Sequence, residues 1–143
     1  MKSILLSVRH LWVEKILNGT KTIELRNSKP RLPLPIDVYI YCTKAGNTTL
    51  SGKVVAKFTL KNVERIKPHL DENLPCQRVK TDTMMEEELL ERSRVLPSFL
   101  YTSKYAWHIS DLEVFKEPKD LLDFKMLRSP ESWAYIEVTE QGE

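Results

Sequence analysis

Gly19-Thr20-Lys21-Thr22-Ile23-Glu24-Leu25-Arg26 is the stretch that decides how this chain is read. It closes a short amphipathic segment and has strand character from Lys21 to Arg26. A strand points alternate side chains to opposite faces. Thr22, Glu24 and Arg26 therefore share one face, and Ile23 and Leu25 the other. The apolar face can anchor in a core. The polar face sets an acceptor-only carboxylate beside a planar, five-donor guanidinium. Two readings stay open: an ion pair that ties the sheet together, or the wall of a ligand pocket. Lys21 falls by parity with Ile23, but at the strand's first residue its four-carbon stem lets the ammonium swing round.

Working outward, Trp12, Val13, Ile16 and Leu17 are spaced as one helical face. Gly19 then suits the left-handed position that ends a helix, which predicts a helix over 9–18. Ser3 to Val8 alternates serine and aliphatic residues and reads as a first strand. Ser28 to Pro35 holds three prolines around Lys29 and Arg31, so it reads as an extended basic loop. Ile36 to Cys42 and Lys53 to Leu60 alternate as strands, separated by a polar turn around Gly46 and Asn47. Val63 and Ile66 are compatible with an extension of the fourth strand past a bulge, and His69 to Lys80 reads as loop. Thr83 followed by Glu86 fits a capping box for a helix from Met84 to about Arg94, burying Met85, Leu89 and as a further candidate Met84, and ended by Pro97. Tyr105 to Phe115 reads as a long strand, Leu121 to Phe124 as a helical turn, and Trp133 to Val138 as a closing strand. About six strands with two or three short helices, mostly not alternating, predict an α+β domain built on a small barrel-like sheet.

The 143 residues fit one domain, 1–143. A chain of this length buries roughly 70% of its unfolded surface, so it needs no staples. No apolar run approaches the ~20 residues that span a bilayer. Arg9 and His10 interrupt the N-terminal apolar run before a signal core forms. Both observations point to a cytoplasmic protein without a membrane partner. Cys42 and Cys76 form no disulfide framework, and no Cys/His spacing suits zinc, so neither a metal nor another cofactor is expected. Residues 1–80 hold 15 Lys+Arg against 6 Asp+Glu, and residues 81–143 hold 7 against 14. A basic first half suits an anionic partner. Alternatively, the two halves pack together and neutralise each other.

The spacing from Gly19 through Lys21 and Glu24 to Arg26, after a helix carrying Trp12 and Ile16, resembles the ASCH signature G-x-K-x-x-E-x-R. Cys42-Thr43-Lys44, Gly52-Lys53-Val54-Val55, Tyr105-Ala106-Trp107-His108-Ile109 and Ser132-Trp133-Ala134-Tyr135-Ile136-Glu137 extend the resemblance to small stand-alone ASCH proteins of bacteria, phages and prophages. The resemblance implies a PUA-like fold, a small mixed β-barrel flanked by helices, and recognition of RNA or a modified nucleotide. Some small members resemble this chain loosely and are amidohydrolases of N4-acetylcytidine that use a lysine and a threonine of the signature with a later glutamate. Lys21 matches that lysine. Glu24 stands where the threonine would be, and Thr22 lies two residues earlier, about 7 Å along a strand.

The candidate ligand-binding residues are thus Lys21, Thr22, Glu24 and Arg26. Arg26 suits a phosphate or carboxylate, and Glu24 can accept from an amino group on a base edge. Lys29, Arg31, Tyr41, Lys53 and Trp133 are candidates for phosphate or stacking contacts. Trp12 is read as helix-face core and His108 as a core histidine with a partner. The favoured reading is a binding module for RNA or a (modified) nucleotide. The alternatives are a hydrolase acting on a modified nucleoside or RNA, with Lys21 the activated group and Glu24 a general base, and a protein-interaction domain.

Overall fold

The computed structural model describes residues 1–46, 48–70, 72–73 and 77–139; Asn47 of the predicted turn and Cys76 lie outside them. Six strands form one mixed sheet: β1 (Lys2–Val8), β2 (Ile23–Arg26), β3 (Ile36–Cys42), β4 (Lys53–Arg65), β7 (Tyr105–Lys119) and β8 (Trp133–Glu137). Their order is β2-β7-β4-β3-β1-β8. β1 and β3 run parallel, with Ile4 opposite Val38 and Val8 opposite Cys42. The other neighbours in the sheet are antiparallel. β5 (Lys67–His69) and β6 (Arg78–Lys80) pair in a separate ribbon, where the sequence reads as loop. The helices are α1 (His10–Leu17), α2 (Glu86–Ser93) and α3 (Pro97–Thr102).

The period-two patterns sort the side chains onto two faces. Ile4, Leu6 and Val8 of β1 join Val13 and Ile16 of α1, Val38, Ile40, Phe58 and Trp107 in one cluster. Leu5 points the other way and meets Tyr39, Tyr41, Phe124 and Ile136. A third cluster, with Ile23, Met84, Leu89, Leu100 and Ala106, lies between the β2–β7 end of the sheet and helices α2 and α3. β7 is therefore covered on both sides at its start, Ala106 by one cluster and Trp107 by another. β4 does extend past Leu60, with its register against β7 shifting between Leu60 and Val63.

Three local expectations are corrected. β2 starts at Ile23, two residues later than predicted: the Thr22 N–H donates to the Arg92 carbonyl of α2, and only the Thr22 carbonyl reaches β7, accepting from the Ile109 N–H. Thr83 does not cap α2: the residue preceding the helix is Met85, and the Thr83 hydroxyl bonds the Glu64 carboxylate at 2.7 Å. Met85 is exposed against expectation, while Met84 is buried as the sequence allowed. Pro97 opens α3, a position where its missing N–H costs nothing, while α2 already ends at Ser93 with Arg94 left-handed at φ 59°.

Pairing between the halves offsets part of their unequal charge. Lys53 bonds Asp120, Lys61 meets Asp111 at 2.7 Å, Lys67 meets Asp82 at 2.5 Å, and Arg78 bridges Glu86 and Glu87. No helix among the described residues is long and apolar enough to cross a membrane.

Candidate functional site

The chain leaves α1 in a tight reversal that brings Lys21 back beneath the helix. Gly19 takes φ +84°, the conformation that favours glycine, although a Cβ there would meet nothing within 4 Å. The N–H groups of Thr20 and Lys21 both donate to the Lys15 carbonyl at 3.0 Å. Lys21 therefore precedes β2 and escapes its parity. Its side chain is buried, 2% exposed, with the ammonium 5.3 Å from the Trp12 ring centre. That ammonium donates to the Ser93 carbonyl at 2.6 Å, at the C-terminal end of α2 where the helix dipole is negative. It also lies 3.4 Å from Glu24.

Glu24 is itself 5% exposed and joins two cations. One carboxylate oxygen faces Lys21; the other accepts from Arg26 Nε at 3.0 Å and Arg26 Nη2 at 2.5 Å. The rest of the Arg26 fork is also committed. Nη2 donates to the Ser7 carbonyl at 2.7 Å, and Nη1 to the Ser132 hydroxyl at 3.0 Å. Arg26 thus clamps β2 to the end of β1 and to the segment entering β8. This links one edge strand of the six-stranded sheet, β2, to the segment that enters the other, β8.

Burial pushes the Lys21 pKa below its ordinary 10.5; Glu24 pulls it back up, while Arg26 and Lys15 push it further down. The net direction is downward, so the neutral amine is more accessible here than on a surface lysine.

These side chains border a cleft of about 1230 Å³. α1 and its approach contribute Arg9, Leu11, Trp12 and Lys15; the α2–α3 junction contributes Arg94, Leu96 and Phe99. Ser7, Asn27, Ser28, Ser132 and Glu131 supply polar lining. Arg9, Lys15, Lys21, Arg26 and Arg94 outnumber the carboxylates of Glu24 and Glu131. Trp12, read from the sequence as core, is only partly buried. It borders the cleft with the Lys15 ammonium 5.3 Å from its ring centre.

The motif is only partly gathered here. Lys21, Glu24 and Arg26 border the cleft, whereas Thr22 does not: its hydroxyl accepts from Arg92 Nε at 3.0 Å. Tyr41 is 2% exposed in the second cluster, which keeps it from stacking on a ligand in the cleft. Lys53 is paired with Asp120. Lys29 stands 5.7 Å from the Tyr105 ring centre, and the Arg31 N–H donates to the Tyr135 hydroxyl. Trp133 supports the cleft from behind, its indole N–H bonding the Ser28 hydroxyl at 2.9 Å and its ring packing edge-on against Trp107. Sequence reasoning missed Arg9, Lys15, Arg94 and Phe99. The spacing of Lys15 three residues after Trp12 was the one local signal for any of them.

A second polar cluster lies outside the cleft. His108 Nε2 meets Glu64 at 2.5 Å, and Glu64 also accepts from the Thr83 hydroxyl. Burial raises the Glu64 pKa, but hydrogen bonds from Thr83, His108 and Thr81 outweigh it and hold the carboxyl below its usual range. His108 is thus a partnered interior histidine. Among the described residues no group of three His, Cys, Asp or Glu side chains is placed to hold a metal ion.

No family model and no curated protein sequence matches the chain. Solved structures do match over nearly its whole length. The ASCH protein of Zymomonas mobilis aligns at 15% identity with TM-score 0.64, covering 98% of this chain and 90% of its own. A serine-to-alanine variant of that protein aligns at 14% identity and TM-score 0.65, with the same coverage. A tyrosine-to-phenylalanine variant aligns at 15% and 0.65, covering 99% and 94%. The chain therefore has the fold of these ASCH proteins, a mixed, half-barrel α+β architecture.

Proposed function

We propose that this chain, an ASCH-fold domain spanning 1–143, is a cytoplasmic binding module for RNA or a nucleotide, and that the ligand enters the cleft bordered by Lys21, Glu24 and Arg26. The lining of that cleft carries the reading: cations outnumber carboxylates, and they alternate with the aromatic rings of Trp12 and Phe99. Phosphate esters need the cations, and unstacked bases need planar apolar surfaces. A cleft of about 1230 Å³ also exceeds the ~300–1,000 Å³ of small-ligand pockets, leaving room for more than one nucleotide.

Tryptophan fluorescence tests the reading, because Trp12 borders the cleft while Trp107 is fully buried. Titration with single-stranded oligouridylate is expected to quench emission saturably. The effect should disappear in Trp12→Phe and weaken as salt rises. An unresponsive Trp12 together with no thermal stabilisation by nucleosides, nucleotides or RNA counts against it.

A hydrolase is the second reading, favoured by the buried Lys21 amine with its lowered pKa beside a carboxylate. Such an amine serves as base or nucleophile. Incubation with acylated nucleosides and with single-stranded RNA is the assay; turnover that persists in Lys21→Met removes Lys21 from the role.

A further inference from the structure

Arg26 is the motif residue whose chemistry best suits a phosphate, yet its fork is committed to Glu24, Ser7 and Ser132. Lys21 is likewise committed, to Ser93 and Glu24. A phosphate arriving in the cleft would have to break these contacts inside the protein, leaving Glu24 buried and without its counter-charges. Three other cations border the same cleft and have no acidic partner among the described residues: Arg9, Lys15 and Arg94. Arg9 and Arg94 are exposed and Lys15 is half-buried.

Thr20 links the backbone of Lys15 to the side chain of Arg94. Its hydroxyl and N–H both bond the Lys15 carbonyl, and its own carbonyl accepts from Arg94 Nε at 3.3 Å. Among the described residues that contact is to Nε and leaves the terminal nitrogens of Arg94 available. Arg9 precedes α1, the helix that carries Lys15. The free cations thus come from both sides of the cleft, α1 and the α2–α3 junction. Glu131 is the exposed carboxylate in the same lining, and it does not offset three cations.

We infer that the phosphate-binding subsite of the cleft is made by Arg9, Lys15 and Arg94, while Lys21, Glu24 and Arg26 form the internal frame that shapes it. The ligand class is a phosphate ester, whether a phosphodiester of single-stranded RNA or the phosphate of a free nucleotide. This inference rests on the nucleotide-binding reading above.

The test measures oligouridylate affinity against salt for the wild-type protein and for the Arg9→Gln, Lys15→Gln, Arg94→Gln triple variant. Each lost phosphate contact lowers the slope of log affinity against log salt by about 0.7 on single strands. The triple variant is expected to lose about 2 from that slope, and Lys57→Gln, on the surface of β4, to lose nothing. If the triple variant does not fold, the Arg9→Gln, Lys15→Gln double variant is expected to lose about 1.4. A variant that binds with the wild-type slope overturns the assignment and leaves the binding module standing. Failure of the wild-type protein to bind any phosphorylated probe overturns both. Uridine monophosphate and uridine separate the sources: tighter binding of the monophosphate, lost in the variant, identifies a free nucleotide as sufficient; binding only of the oligomer identifies the RNA backbone.

Discussion

Glu24 stands between two cations in the interior, and its removal is the most damaging single change available to the motif. Glu24→Gln leaves Lys21 and Arg26 facing each other without a counter-charge. Breaking a buried pair in this way costs about 3–5 kcal/mol. Lys21→Met is expected to cost clearly less, because Glu24 keeps its paired contact with Arg26. Urea denaturation of the two variants checks the ranking; equal losses would mean that Glu24 draws as much from Lys21 as from Arg26. At Glu64 the sign of the pH effect follows from its lowered pKa. Its stabilising contribution is present above the unfolded value near 4.5 and is lost as pH falls through the folded value. Glu64→Gln should flatten the decline of thermal stability with acid. A decline as steep as in the wild-type protein would assign acid sensitivity to other carboxylates.

At the scale of elements, α2 carries more than its own packing. Leu89 is fully buried between α2 and the β2–β7 end of the sheet, while the Ser93 carbonyl receives the Lys21 ammonium. Leu89→Ala is expected to destabilise by about 2–5 kcal/mol through the cavity it leaves. In molecules that remain folded it should also weaken ligand binding, because α2 leads through Arg94 into the wall formed by α3. Chemical denaturation and an affinity measurement on the same variant check both effects; a stability loss with unchanged affinity would uncouple α2 from the cleft. α2 also shows where local chemistry misleads. Thr83 and Glu86 have the spacing of a capping box, but Thr83 bonds Glu64 and the Glu86 carboxylate accepts from the Val79 N–H and the Tyr101 hydroxyl. Both side chains found partners nineteen, seven and fifteen residues away, which outcompeted the local cap.

At the scale of the whole molecule, the unequal charge of the two halves marks their dependence on each other. β7, from the acidic half, lies between β2 and β4 of the basic half. Trp107 and Ala106 complete two of the three hydrophobic clusters. Fragments 1–80 and 81–143 are therefore expected to show no cooperative unfolding when separate, and mixing is expected to restore it. Calorimetry of each fragment and of the mixture checks this, and a fragment that melts cooperatively by itself would argue for two folding units.

The amino-acid sequence by itself determined the side chains' division between faces. Period-two alternation in 3–8 and 36–42 picked out one core face, Ile4, Leu6 and Val8 with Val38, Ile40 and Cys42, but not the second cluster that buries Leu5, Tyr39 and Tyr41, and in 53–60 it put Val54 on the side that Val55 takes. It also placed Gly19 at the end of α1, and its motifs pointed to the ASCH fold that the solved structures match. Tertiary structure alone decided what each charge does. Lys21, Glu24 and Arg26 were legible as a group, but their partners, the Ser93 and Ser7 carbonyls and the Ser132 hydroxyl, lie far along the chain. Arg9, Lys15 and Arg94 carried no assignment from the sequence; the fold sets them around one cleft. A cation's role depends on which acceptors reach it, and for these residues those acceptors are brought within reach only by contacts between distant segments.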